Sequence, residues 1–203
     1  MGKVAILIDN MYLQHIQDEF KTGQVDITKI PKVLLRDGEE HHRTWVFDAL
    51  PYVPPNPTPE QITRKNNKHQ YLDALQYKER ITVEQGMVRP KATTCRKCGA
   101  QFQVAVQKLV DVKMSVRLVE LAFSDSMDRI VLLSGDADLL PAVEASESSG
   151  TTIRLAYAES GQVMTSRALI RKCPEKQKLT QQDLAFCRYE SVPTTQESSL
   201  VHA

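Results

Sequence analysis

The chain has 203 residues, of which 41% are apolar and 25% are charged, and these fractions are those of an ordinary globular protein. These fractions exclude a mostly disordered chain, a collagen-like repeat and a small protein held together mainly by disulfide bonds. With 26 Lys and Arg against 25 Asp and Glu, the net charge is +1, so the total charge gives no sign of a nucleic-acid partner and local patches must decide.

Apolar runs near the start of the chain are short. The longest covers residues 4–8, which is the length of a strand and far below the roughly 18 residues that a membrane helix requires. The segment ends at an acid and lacks the longer apolar region and cleavage site of a signal peptide. Four cysteines fit a reducing compartment. We therefore predict a cytoplasmic protein without a membrane partner.

The predicted elements alternate between strands and helices. Residues 3–8 form a continuous β-rich run that is typical of a buried strand. Val110, Met114 and Leu118 share one face of the clearest helix, over 108–123. In chain order we predict strands over 3–8, 43–50, 80–89, 129–133 and 151–156, with helices after residue 10 and over 27–36, 61–79, 108–123, 138–149 and 163–172, a small CxxC-containing insertion over about 91–106, and a closing helix or loop over 172–190.

This alternation predicts βαβ units and therefore an α/β fold. We expect a three-layer α/β/α arrangement in which a mostly parallel five-stranded sheet lies between two helical layers. A single domain over residues 1–190 accommodates these elements, and the Ser/Thr/Gln-rich residues 191–203 are predicted to be a disordered tail.

Four aspartates are placed where they can converge. Asp9 and Asp136 each follow a predicted buried strand, and the carboxyl ends of parallel strands meet at one edge of a sheet. Asp138 comes two residues later, and Asp111 lies in the first turn of the helix over 108–123. Acids at strand ends are also common helix caps and turn formers, and Asp138 is the member best placed to be only a cap.

Carboxylates gathered in one pocket repel one another, and a divalent cation relieves that repulsion. Mg²⁺ and Mn²⁺ prefer oxygen ligands and can activate a water for attack on a phosphodiester. The acids therefore predict a metal-dependent nuclease. Ser134, just before Gly135, can orient a carboxylate or bind phosphate.

Three segments together resemble a known family. They are KVAILIDN from residue 3, QKLVDVKMSVRLVELAF from residue 107, and RIVLLSGDADLLPAVEASESSGTTIRLA from residue 129. In this order they resemble the NYN domain of the PIN-like nuclease superfamily, in its LabA-like branch, over roughly residues 3–172. The resemblance implies a PIN-like fold and a Mg²⁺- or Mn²⁺-dependent endoribonuclease whose catalytic metal ligands are Asp9, Asp111, Asp136 and Asp138.

One position departs from the family pattern. Many relatives carry Asn three residues after the first acid, where this chain has Tyr12. Asn10 is the nearest amide and a candidate to replace that contact with the substrate. The departure keeps open a catalytically weak RNA- or protein-binding module as an alternative function. A phosphatase or other Mg²⁺-dependent phosphoryl-transfer enzyme is a third possibility. The absence of a DxDx[TV]-like nucleophile motif after the first strand disfavours its haloacid-type version.

A basic segment precedes the insertion. Arg64, Lys65 and Lys68 are candidates to hold an RNA backbone, and Tyr71 or Tyr77 could stack on a base. A solvated helix face explains the same residues without any ligand. Met11, Tyr12 and Trp45 are predicted to belong to the core instead of contacting substrate.

Cys95 and Cys98 form a CxxCG sequence, which is typical of a zinc knuckle. A structural zinc requires four ligands, and a second CxxC is absent from the sequence. A tight hairpin turn with two free thiols is the alternative. The remaining ligands could come from Cys173, Cys187, His41, His42 or His69, or from the knuckle of a second chain across a homodimer.

Overall fold

The computed structural model describes residues 2–189, so the predicted tail over 191–203 lies outside the described residues. The strands are β1 (Gly2–Asp9), β2 (Glu39–Asp48), β3 (Ile81–Gln85), β4 (Met87–Thr94), β5 (Gln101–Lys108), β6 (Arg129–Leu133), β7 (Thr152–Tyr157) and β8 (Glu175–Lys178). The helices are α1 (Asn10–Phe20), α2 (Ile30–Leu34), α3 (Pro59–Gln76), α4 (Val110–Ala122), α5 (Leu140–Ala145), α6 (Arg167–Lys172) and α7 (Gln181–Phe186).

Six strands form one parallel sheet in the order β3-β2-β1-β6-β7-β8. The parallel α/β arrangement is confirmed, but the sheet has six strands and not the five predicted. The additional strand, β8, has the sequence EKQK and alternates between exposed and half-buried positions. Charged side chains are common on edge strands because they discourage pairing with another chain, and they also hide such a strand from a search for apolar runs.

The two faces of the sheet carry separate apolar clusters, which confirms the three-layer arrangement. Side chains alternate across a strand, so Val4 and Ile6 of β1 face one cluster and Ala5 and Leu7 face the other. The first cluster includes buried residues of α1, α2, α3 and α7, and the second includes those of α4, α5 and α6.

The predicted strand over 80–89 is interrupted at Gly86. A Cβ atom at this position would lie 2.4 Å from Val110 Cγ2, so the close approach of α4 requires glycine. The chain before Gly86 pairs with β2, whereas the chain after it turns away as β4 and pairs antiparallel with β5. The predicted insertion over 91–106 is therefore a longer β-hairpin, from Met87 to Lys108.

Several helices are shorter than predicted. The helix over 138–149 is a 3₁₀ turn (Ala137–Leu139), then α5, then a second 3₁₀ turn (Ser146–Ser149). The helix over 163–172 begins only at Arg167, because Ser166 accepts the Leu169 N–H and caps it. The closing segment contains both β8 and α7.

A buried ion network holds the amino-terminal edge of the sheet. Arg154 of β7 is completely buried and pairs with Glu39 of β2 and Glu175 of β8. Burial alone would raise the pKa of Glu39, but hydrogen bonds from Arg154 and Arg36 outweigh it and hold the pKa below its usual value. The acids that follow β1 and β6 lie at the opposite, carboxyl edge of the same sheet.

Candidate functional site

Three of the four predicted acids meet at the carboxyl edge of the sheet. Carboxylate oxygens of Asp111, Asp136 and Asp138 all lie within 4.8 Å of one another. Asp111 is half-buried, and the other two are exposed. Within residues 2–189 this is the one group of three or more His, Cys, Asp or Glu side chains that could together hold a metal ion.

Local hydrogen bonds explain how β6 positions its acids. The Asp136 carboxylate accepts the Asp138 N–H at 2.9 Å and so caps the 3₁₀ turn that follows. The buried Ser134 hydroxyl accepts the Asp136 N–H and donates to Asp9 Oδ2, each at 3.2 Å. Ser134 therefore links the end of β6 to the end of β1.

Asp9 occupies a different environment from the other three acids. Its carboxylate caps α1 by accepting the N–H groups of Met11 and Tyr12, at 3.0 and 3.1 Å. Burial raises the pKa of Asp9, these hydrogen bonds lower it, and the charge of Asp111 raises it again, with a net increase. Asp9 is therefore electrostatically linked to the cluster while serving as a helix cap.

The donor set of the cluster fits a hard divalent cation. Burial raises the pKa of Asp111, and the negative charges of Asp136 and Asp138 raise it further. A bound cation would remove that repulsion, and carboxylate oxygens are the ligands that Mg²⁺ and Mn²⁺ prefer. Asp111, Asp136 and Asp138 are thus the residues that could hold the metal.

Tyr12 does not take the place of the missing amide. Its hydroxyl lies 2.7 Å from Thr165 Oγ1 and accepts the Ala158 N–H at 3.0 Å. Its ring covers Gly135, where a Cβ atom would lie 2.6 Å from the ring carbon Cε2. Tyr12 and Trp45 are both buried, which confirms the prediction that each belongs to the core.

A groove of about 1050 Å³ adjoins the start of α1. Its walls come from α1, the proline-rich loop after β2, α3 and the base of the β4–β5 hairpin, which contributes Val88 and Ala105. Met11 lines the groove and is 45% exposed, so its prediction as a core residue was wrong. Met11 lies in the first turn of α1 next to the buried Asn10 and Tyr12, so it is on the side of the helix that faces away from the core.

Asp48 is a buried acid in this groove that the sequence reasoning missed. It lies at the end of β2, accepts the Ala49 N–H at 2.7 Å, and pairs with Lys68 Nζ at 2.5 Å. The buried side-chain amide of Asn10 also donates a hydrogen bond to the Asp48 carboxylate, so the Asn10 side chain points toward this acid. The available signal was the same as for Asp9, namely an acid directly after a buried apolar strand.

Only part of the predicted basic segment faces the groove. Arg64, Lys68 and Tyr71 line it, and Lys68 Nζ lies 5.9 Å from the centre of the Tyr71 ring. Lys65 is exposed on α3 and is not among the lining residues. Tyr77 is 90% exposed beyond the end of α3, also away from the groove wall.

The other cysteines cannot complete a site with Cys95 and Cys98. Cys187 and Cys173 lie in the apolar clusters on opposite faces of the sheet, and burial raises the pKa of each thiol to about 11. The candidate histidines have other neighbours: His41 bonds Thr44, His42 lies against Trp45, and His69 pairs with Asp73.

The family comparison agrees with this architecture. The family model of the NYN domain matches residues 3–180. The chain belongs to the NYN domain family. NYN domains have the PIN-like nuclease fold, act on RNA, and are generally nucleases. A search of curated proteins finds no match to this chain. Its place in the LabA-like branch stays a prediction. Among residues 2–189, no helix combines the length and apolar character that a membrane crossing requires.

Proposed function

We propose that this NYN domain is a Mg²⁺- or Mn²⁺-dependent endoribonuclease. The observation that carries the proposal is the convergence of Asp111, Asp136 and Asp138 at the carboxyl edge of the sheet. A metal bound there would neutralise charge on the phosphoryl oxygens and lower the pKa of a water that attacks the phosphodiester. The single domain over 1–190 and the cytoplasmic location stay predictions.

The remaining site residues have positioning and binding roles in this proposal. Ser134 fixes the Asp136 backbone relative to Asp9, so the loop that carries two of the acids is tied to β1. Arg64 would hold the RNA backbone, with Lys68 beside it paired to Asp48, and Tyr71 offers an aromatic face for a base. Asn10 and Asp48 hold the Lys68 side chain in place.

A binding module without strong catalysis is the second candidate. The observation that favours it is the commitment of Tyr12 to Thr165 and Ala158, together with that of Asn10 to Asp48. Neither side chain supplies the free amide that many relatives place beside the first acid.

The deciding experiment is cleavage of a circular single-stranded RNA, which only an endonuclease can open, with single-stranded DNA in parallel. Wild type and Asp136→Asn are compared in Mg²⁺, Mn²⁺ and EDTA. Asn keeps the Oδ1 acceptor that caps the 3₁₀ turn but removes the charge. We expect metal-dependent RNA cleavage that falls by about 100-fold or more in the variant, as when a charge-stabilising group is removed from other active sites.

Asp125→Asn is the matched control. Asp125 is exposed, lies outside the cluster and has φ 51°, a conformation that Asn adopts readily. It should cleave like wild type. RNA binding without cleavage by wild type would favour the binding module, and cleavage that persists in EDTA or in Asp136→Asn would overturn the proposed site.

A further inference from the structure

The β4–β5 hairpin lacks a hydrophobic core of its own. Every hairpin position whose side chain the structure describes, from Met87 to Lys108, is exposed or half-buried, and Phe102 remains 47% exposed. A two-stranded hairpin is marginal in water without packing, a metal or a partner. The hairpin therefore needs a stabilising contact from outside its own two strands.

The tip of the hairpin has the geometry of a metal knuckle. The Gly99 N–H donates to the Cys95 carbonyl at 2.9 Å, and Gly99 has φ 72°, which lets the chain turn back after Cys98. The neighbouring Cys98 and Lys97 backbone groups and the Cys98 thiol lower the pKa of Cys95. The turn therefore brings both thiols together at the tip of the hairpin.

Two thiolates satisfy only half of a structural zinc site, which takes four ligands in a tetrahedron. Within residues 2–189, no His, Cys, Asp or Glu side chain joins Cys95 and Cys98 in a group that could hold a metal. The two other thiols are buried in the two apolar clusters. A second copy of the knuckle supplies the same two ligands by two-fold symmetry.

We propose that two copies of this chain share one Zn²⁺ at the hairpin tips, with Cys95 and Cys98 of each copy as the four ligands. A zinc bound by four thiolates carries a net charge of −2. Arg96 and Lys97 lie between the cysteines in each knuckle, so two copies bring four positive charges to the same place. This charge balance favours the pairing of two knuckles with the metal and opposes their pairing without it.

The shared zinc also fixes one wall of the groove. Val88 and Ala105 of the hairpin line the groove together with residues of α3. A hairpin held at its tip by zinc and at its base by Gly86 packed on α4 has both ends fixed. The zinc proposal stands apart from the proposed nuclease activity, because neither Cys95 nor Cys98 belongs to the acidic cluster.

The test uses the full chain, purified under reducing conditions and equilibrated with Zn²⁺ in the presence of excess Mg²⁺. Elemental analysis should give one zinc for every two chains, and light scattering should give a dimer that EDTA converts to a monomer. Co²⁺ in place of Zn²⁺ should give the intense thiolate-to-metal absorption of a four-sulfur site, which carboxylates at the acidic cluster cannot produce.

Cys95→Ser and Cys98→Ser should each abolish the dimer and the cobalt signal while leaving the melting temperature in EDTA unchanged, because Cys98 is exposed and Cys95 is half-buried at the tip of the hairpin. Cys173→Ala, which removes a thiol outside the knuckle, should keep both. A monomer that binds one zinc per chain would overturn the shared site. So would iron at the same stoichiometry, a Cys95–Cys98 disulfide in place of metal, or a dimer that survives in the serine variants.

Discussion

The hydroxyl of Tyr12 connects α1 to the segment after β7. It is the hydrogen-bond acceptor for the buried Ala158 N–H and a partner of Thr165. Removing it leaves a buried donor without a partner, which costs about 1–3 kcal/mol. We therefore expect Tyr12→Phe to lower the free energy of unfolding by that amount in urea titrations, while RNA cleavage changes little.

Tyr77→Phe provides the comparison, because the Tyr77 side chain is 90% exposed. It should unfold at the same urea concentration as wild type. Equal stability of both variants would mean that the Tyr12 hydroxyl does not anchor α1. A large loss of cleavage in Tyr12→Phe without a loss of stability would instead give Tyr12 a direct part in the chemistry.

Within the helix α3, two neighbouring cationic side chains lie in different surroundings. Arg64 lines the groove, whereas Lys65 is exposed beside it. Each lost phosphate contact weakens RNA binding and lowers the steepness of its salt dependence by about one unit. We expect Arg64→Ala to bind single-stranded RNA several-fold more weakly, by fluorescence anisotropy over a series of salt concentrations.

Lys65→Ala is matched to this variant in position and charge, and it should keep both the affinity and the salt dependence of wild type. Equal weakening in the two variants would indicate that RNA senses only the net charge of α3. Neither variant should change the melting temperature, because both side chains are exposed.

Periodicity explains which elements the sequence could predict. The apolar run of β1 and the stripe of α4 predicted both elements closely, because their patterns report burial directly. β8 is polar and was missed. Gly86 was hidden inside an alternating pattern because the pattern continues across two strands that belong to different sheets. Only the tertiary approach of Val110 and of the Lys108 carbonyl shows why position 86 must be glycine.

The candidate site also contains some residues that the sequence could indicate and others that it could not. The gathering of Asp111, Asp136 and Asp138 follows from strand ends and one helix start, which a sequence can indicate. The pairing of Asp48 with Lys68 depends on how α3 packs against the sheet, and sequence spacing does not contain that information. The role of Met11 as a groove residue likewise depends on which elements surround the start of α1.

For the whole molecule, we expect repulsion within the acidic cluster to reduce the free energy of unfolding until a cation balances the charge. Burial raises the pKa of Asp111, and the charges of Asp136 and Asp138 raise it further. In EDTA we expect Asp136→Asn to melt about 2–4 °C above wild type, the shift that roughly 1 kcal/mol produces in a chain of this size. Mg²⁺ or Mn²⁺ should raise the melting temperature of wild type and not that of the variant.

Differential scanning fluorimetry across metal concentrations measures both effects, and Asp125→Asn should follow wild type throughout. A variant that melts below wild type in EDTA would show that the Asp136 charge stabilises the loop through its cap. Metal stabilisation that persists in Asp136→Asn would place the ion elsewhere on the molecule.

The pairing of β1 with β6 determines when the carboxyl edge of the sheet can form during synthesis on the ribosome. Asp9 and Ser134, which join the two strand ends, are 125 positions apart in the chain. A nascent chain therefore carries Asp9 long before its partner Ser134 exists, and parallel strands this distant in the chain pair slowly. The acidic cluster can assemble only after β6 and its following turn have emerged, so most of the domain is synthesised before Asp111, Asp136 and Asp138 can come together.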